Sequence, residues 1–132
     1  MMRIGFLPSD FNPMLLILGE AEDFRALADV LRGFARQPEE VRLDRLGFCA
    51  ATRTPLMLSA SAGPLGIHPA ADGLYLWRID PQRAAAFAVQ VDSLAEPGRV
   101  AGSEMLECRT EDEIPVKASR GEYTDEFLLL TA

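Results

Sequence analysis

The stretch MLLILGEAEDFRALADVLRGFARQP, residues 14–38, decides how the chain is read. It opens on a short continuous apolar run, 14–18, ending at Gly19, which reads as a buried strand. An amphipathic helix follows. Phe24, Leu27, Ala28, Leu31, Phe34 and Ala35 recur at helical spacing and form one apolar stripe. Glu20, Glu22 and Asp23 stand at its start and Arg32 and Arg36 near its end, each with the sign that opposes the helix dipole there. Pro38 stops it. A helix with one apolar face must lie on something, and the strand before it points to a sheet.

A second passage repeats the plan. GLYLWRI, 73–79, is apolar on both faces and rich in aromatic residues, as a central strand is. In DPQRAAAFAVQVDSLAEPG, 80–98, Asp80 can cap a helix and Pro81 fits its first turn, while Ala84, Phe87, Ala88, Val91 and Leu94 supply the buried stripe. Around these passages the alternation in EVRLDRLGF, 40–48, predicts a half-exposed strand, and PLMLSAS, 55–61, another. AGPLGIHPAADG, 62–73, with three glycines and two prolines, reads as loop. SEMLECRT, 103–110, is a predicted strand, EDE at 111–113 an exposed acidic turn, and IPVKAS, 114–119, a strand whose proline suggests an edge. The passages around 14–46 and 73–109 share a strand–helix–strand order but too little else to be called a sequence repeat.

The expected fold is therefore α+β: one domain over residues 1–132, a two-layer sandwich of a mixed, mostly antiparallel sheet with two helices on one face. A ferredoxin-like arrangement with extra strands is one way to draw it. A chain of this length buries roughly two thirds of its unfolded surface and needs no staples.

Charge narrows the function classes. Thirteen basic against twenty acidic residues give a net charge of −7, which repels nucleic acid and anionic membranes and suits a basic protein partner. Lys117 is the only lysine beside twelve arginines, and with eighteen alanines this reads as the bias of a GC-rich bacterial genome. The apolar run 14–18 is too short for a signal-peptide core, and no run is long enough for a membrane helix, so a cytoplasmic protein is expected.

No motif specifies a chemistry, and the reading leans away from an enzyme. Cys49 and Cys108 stand far apart beside apolar residues and read as buried inert thiols. One histidine and two separated cysteines make no zinc spacing, and the acids of 104–113 lack the spacing and turn glycine of a calcium loop. No metal, no cofactor and no catalytic residue is expected. His68, with Asp72 and Ser61 near it in sequence, lacks the context of a triad.

Two candidate sites remain. VKASRGEYTDEFLLL, 116–130, gathers charges around a glycine and a tyrosine. A hairpin turning at Arg120-Gly121 would set Ser119 opposite Glu122 and Ala118 opposite Tyr123, with Lys117 and Glu122 on a wet side and Tyr123 on the packed side. Alternatively Thr124 or Asp125 caps a short final helix. As a partner-binding loop its candidates are Arg120, Glu122, Tyr123 and Asp125. The other is a small-molecule pocket near loop 62–73 with His68, Trp77 and Arg78. The leading expectation is a small acidic protein-binding module, including the case of an inhibitor or immunity-type protein masking a basic target. A ligand-binding domain, or an enzyme without a recognisable motif, is the alternative.

Overall fold

A computed structural model describes residues 1–8 and 13–123. The elements run β1 (Arg3–Leu7), β2 (Met14–Leu18), α1 (Ala21–Arg36), β3 (Val41–Arg42), β4 (Leu56–Ser59), β5 (Gly66–Pro69), β6 (Tyr75–Arg78), α2 (Pro81–Ser93), β7 (Gly102–Met105) and β8 (Val116–Arg120). The class is α+β, and most strand pairs are antiparallel. The strands divide, however, into two four-stranded sheets, ordered β1-β2-β8-β7 and β3-β4-β6-β5. The single expected sheet does not form, and neither does a ferredoxin-like order, because the strand after each helix joins a different sheet from the strand before it.

The chain is built instead from two ββαββ halves that exchange their second hairpins. β1 and β2 pair antiparallel and lead into α1; β3 and β4 pair antiparallel after it. β5-β6-α2-β7-β8 repeats this. β4 then docks parallel on β6 of the other half, and β8 docks parallel on β2. Through β2 and α1, and again in β4, the correspondence holds residue by residue, sixty positions apart. Leu15 pairs with Val116, and Tyr75 with Leu56. The amide of Leu15 donates to the Pro115 carbonyl at 2.9 Å, as that of Tyr75 does to Pro55 at 2.9 Å. Phe24, Leu27, Ala28, Leu31 and Phe34 of α1 are buried, and so are their counterparts Ala84, Phe87, Ala88, Val91 and Leu94.

Capping starts both helices. Asp80 accepts the Arg83 amide at 2.8 Å and Pro81 fills the first turn. At α1 the Asp23 carboxylate accepts the Glu20 amide at 2.8 Å within a capping box. The core-facing residues of both sheets, among them Ile4, Leu15, Ile17, Val116, Leu56, Leu58, Ile67 and Trp77, join the stripes of both helices in one hydrophobic cluster. Trp77 stacks on Phe87 of α2 with centroids 5.7 Å apart, and Phe6 of the first sheet stacks on Tyr75 of the second at 5.6 Å. An Arg32–Asp92 ion pair ties the helices together.

Several local expectations change. The alternating run 40–48 holds a strand only at Val41–Arg42 and then turns through a 3₁₀ segment, Leu43–Arg45. Asp44 draws it round: it accepts two guanidinium hydrogen bonds from Arg42 at 2.9 and 2.8 Å and the Leu56 amide at 3.1 Å. The predicted loop 62–73 contains β5, which pairs antiparallel with β6 and is entered through Gly66 at φ +95°. A further strand, β1, precedes the apolar run 14–18. The predicted strand 103–110 ends at Met105.

IPVKAS is the largest change. β8 is not an edge but lies between β2 and β7, with Pro115 just outside it. Both hydrogen-bonding sides of β8 are occupied, by β2 and β7, so Glu122 and Tyr123 do not pair with it as a hairpin.

Candidate functional site

The residues singled out from sequence fall in three places. At the end of β8, Lys117 is half-buried, donates from Nζ to the Tyr123 hydroxyl at 3.0 Å and lies 5.3 Å from the ring centroid. Tyr123 thus joins the Lys117 side of the sheet, not the Ala118 side that a hairpin would give it. Ser119 Oγ, fully buried, is 3.3 Å from both the Gly102 carbonyl and Glu122 Oε1, so Ser119 and Glu122 touch through their side chains and not as the partners in a hairpin that the sequence suggested. Arg120 points elsewhere: its Nη1 donates to the Leu94 carbonyl at the end of α2, at 2.9 Å. Asp125, and the cap proposed at Thr124 or Asp125, lie outside the described residues.

His68, Trp77 and Arg78 are separated by strand alternation. The register Ile67–Trp77–Leu58 faces the core, while Leu76 and Arg78 point to the opposite side of the sheet, as does His68. Trp77 has no exposed surface, and among the described residues its indole N–H has no acceptor. His68 Nε2 stands 3.0 Å from the Leu65 carbonyl, which makes that nitrogen the protonated one. Arg78 Nε donates to Ser61 Oγ at 3.2 Å, and Ser61 lies 2.7 Å from Ser59 Oγ. On this face Arg42, Met57, Leu76 and His68 form one half-exposed row.

The third place is the connection from β7 to β8, the acidic segment of the sequence. Here Glu113 works inward. Its carboxylate accepts the amides of Cys108 and Arg109, each at 2.8 Å, and its stem packs against Gly66, where any side chain would collide with it. The Thr110 hydroxyl donates to the Leu65 carbonyl, and the Ile114 amide donates to the Ile67 carbonyl at 2.8 Å. Arg109 and Asp112 adopt left-handed backbone, φ +60° and +61°, which closes the turn. Glu107, Glu111 and Asp112 are left exposed on this fastened loop. Sequence reading counted these acids together; the division of labour that sets Glu113 apart required the partner strand β5.

The thiols behave as small apolar groups. Burial first, then the nearby carboxylates of Asp44 and Asp23, push Cys49 up to about 11. Burial and the Glu113 carboxylate do the same to Cys108, also to about 11. Neither is poised as a nucleophile at neutral pH. Among the described residues no group of three or more His, Cys, Asp or Glu side chains is gathered as a metal ion would require. No described helix is long and apolar enough to cross a membrane.

The chain matches no protein-family model, no curated protein and no solved structure.

Proposed function

We propose that this protein is a binding module whose partner is a basic protein, docked through the acidic turn between β7 and β8. The observation that carries the reading is the preorganised turn. Glu113, Thr110 and Ile114 hold its backbone, so presenting Glu107, Glu111 and Asp112 costs little ordering on association. A net charge of −7 steers a basic partner toward it. The titratable groups considered for chemistry support binding over catalysis: His68 is held by a backbone carbonyl and both thiols are buried. Masking of a basic target, as an inhibitor or immunity-type protein would do, is the finer form of the proposal. Lys117, Glu122 and Tyr123 form a second polar cluster that such a partner could reach.

The test is capture from the source cell's lysate at low and high salt, with mass spectrometric identification. Two baits are compared: wild type, and Glu107→Gln/Glu111→Gln/Asp112→Asn, with asparagine tolerating the left-handed backbone at 112. The reading expects a basic partner that is lost at high salt and lost with the triple variant. A partner retained equally by both baits in both salts would refute it.

A further inference from the structure

The end of α2 gathers cations in an otherwise acidic protein. Three successive carbonyls there each accept from a different arginine. Arg99 Nη1 donates to the Ser93 carbonyl at 3.1 Å, Arg120 Nη1 to that of Leu94 at 2.9 Å, and Arg25 Nη2, from α1, to that of Ala95 at 3.2 Å. Consecutive carbonyls of a helix end lie within one turn, which places the three guanidinium groups within roughly 10 Å of one another. Two are closer still. Gly102 sits directly opposite Arg120 in the β7–β8 register, and the Arg99 guanidinium occupies the space that a Gly102 side chain would fill. Arg99 and Arg120 therefore lie side by side as a cross-strand pair would.

Like charges so placed repel, and the helix C-terminus supplies only about half an elementary charge against them. Among the described residues none of the three is within ion-pair distance of a carboxylate, whereas Arg32, Arg42 and Arg83 each have an aspartate. The acids near the cluster are Glu104, whose Oε1 accepts Ser93 Oγ at 3.0 Å, and the exposed Glu96 and Glu122. Arg120 is partly desolvated: its Nε is shut off from solvent and has no acceptor among the described residues. A guanidinium in that state gains most from an added anion. Helix termination alone does not call for this arrangement, since the equivalent end of α1 closes on its own backbone, Gln37 N–H to the Gly33 carbonyl at 2.9 Å.

We infer that the end of α2 is an anion-binding site. Arg99 and Arg120 form its floor and Arg25 its rim, and it takes a carboxylate or phosphate group through the guanidinium N–H donors that the carbonyls leave unused. It is independent of the acidic-turn reading and shares none of Glu107, Glu111 and Asp112.

The experiment is thermal melting of the full chain in inorganic phosphate, in citrate and in sodium chloride of matched ionic strength. The comparison protein is Arg25→Gln/Arg99→Gln. The site predicts a melting temperature that rises saturably with phosphate or citrate beyond the chloride control, with half-saturation at least tenfold weaker in the double variant. Arg99→Gln alone, less perturbing to the fold, should weaken it at least threefold. A peptide with a free C-terminal carboxylate, compared with its amidated form, separates a protein carboxylate from free phosphate as the source. A rise no greater than in chloride, or half-saturation unchanged in both variants, overturns the inference.

Discussion

Asp44→Ala should be among the most costly single changes outside the apolar core. Asp44 holds the turn that leads from β3 toward β4: Arg42 grips both carboxylate oxygens and the Leu56 amide donates to Oδ1 at 3.1 Å. Leu56 has no exposed surface, so its amide would be left buried without an acceptor, at about 1–3 kcal/mol. Losing the Arg42 pair adds about 1 kcal/mol, because Arg42 keeps 28% of its side-chain surface open and rehydrates. The sum, roughly 2–4 kcal/mol, corresponds to a fall in Tm of about 6–15 °C for a chain of this size. Asp44→Asn separates the two contributions. Its side-chain oxygen can still accept from Leu56, so only the ionic part, about 1 kcal/mol, is lost.

The pH dependence gives an independent check. Burial pushes the Asp44 carboxyl up, but the Arg42 guanidinium, the Leu56 amide and its own amide outweigh burial and hold it below the usual carboxylate value. A depressed carboxyl stabilises the fold above its unfolded pKa, near about 4, and that contribution is lost as pH falls through the folded value. The gap in unfolding free energy between wild type and Asp44→Asn should be open at pH 7 and narrower at about pH 3, below the unfolded value. Urea unfolding at both pH values measures it. A loss under about 0.5 kcal/mol for Asp44→Ala, or a wild type–Asn gap unchanged at low pH, would refute the reasoning.

Three further outcomes are expected. Gly66→Ala combines a left-handed φ with a Cβ 2.1–2.5 Å from the Glu113 side chain, and should cost about 2–4 kcal/mol in chemical denaturation; a loss under 1 would show that the turn yields freely. Cys49 and Cys108, both pushed up to about 11, should resist thiol reagents at pH 8 until the protein unfolds. Because the unfolded thiols ionise first, stability should also fall as pH climbs from about 9 toward 11; rapid native labelling would contradict both statements. Phe87→Ala removes the ring stacked on Trp77 and should cost about 3–5 kcal/mol, with a shifted tryptophan emission; unchanged emission would mean that the stacking is not maintained in solution.

Much of the fold was legible in particular residues. The stripe from Phe24 to Phe34, the Asp80-Pro81 start of α2 and the apolar runs of β2 and β6 announce themselves because their causes are local: side-chain period, capping chemistry, charge against the helix dipole. The burial of both cysteines was readable for the same reason, from their apolar neighbours. A further signal lay in the sequence without being used. Pro55 and Ser59 recur as Pro115 and Ser119, at the spacing that separates the helix caps Glu20 and Asp80. That common offset marks the two ββαββ halves.

What the sequence determined by itself was therefore the two helices and the strands that lead into them, the helix faces that must be buried and the acidic balance of the chain. The tertiary structure decided which hairpin completes which sheet, because an apolar strand carries no label for its partner and the exchange of β3-β4 with β7-β8 is settled by packing over long sequence distance. It also decided the roles of the charged residues. Arg120 reaches the end of a helix distant in sequence, Glu113 closes its own turn, and Trp77 and Arg78, adjacent in the chain, face opposite sides of one sheet. A side chain's chemistry is local, but its partner is whatever the fold brings within hydrogen-bonding reach, and only the packed chain supplies that.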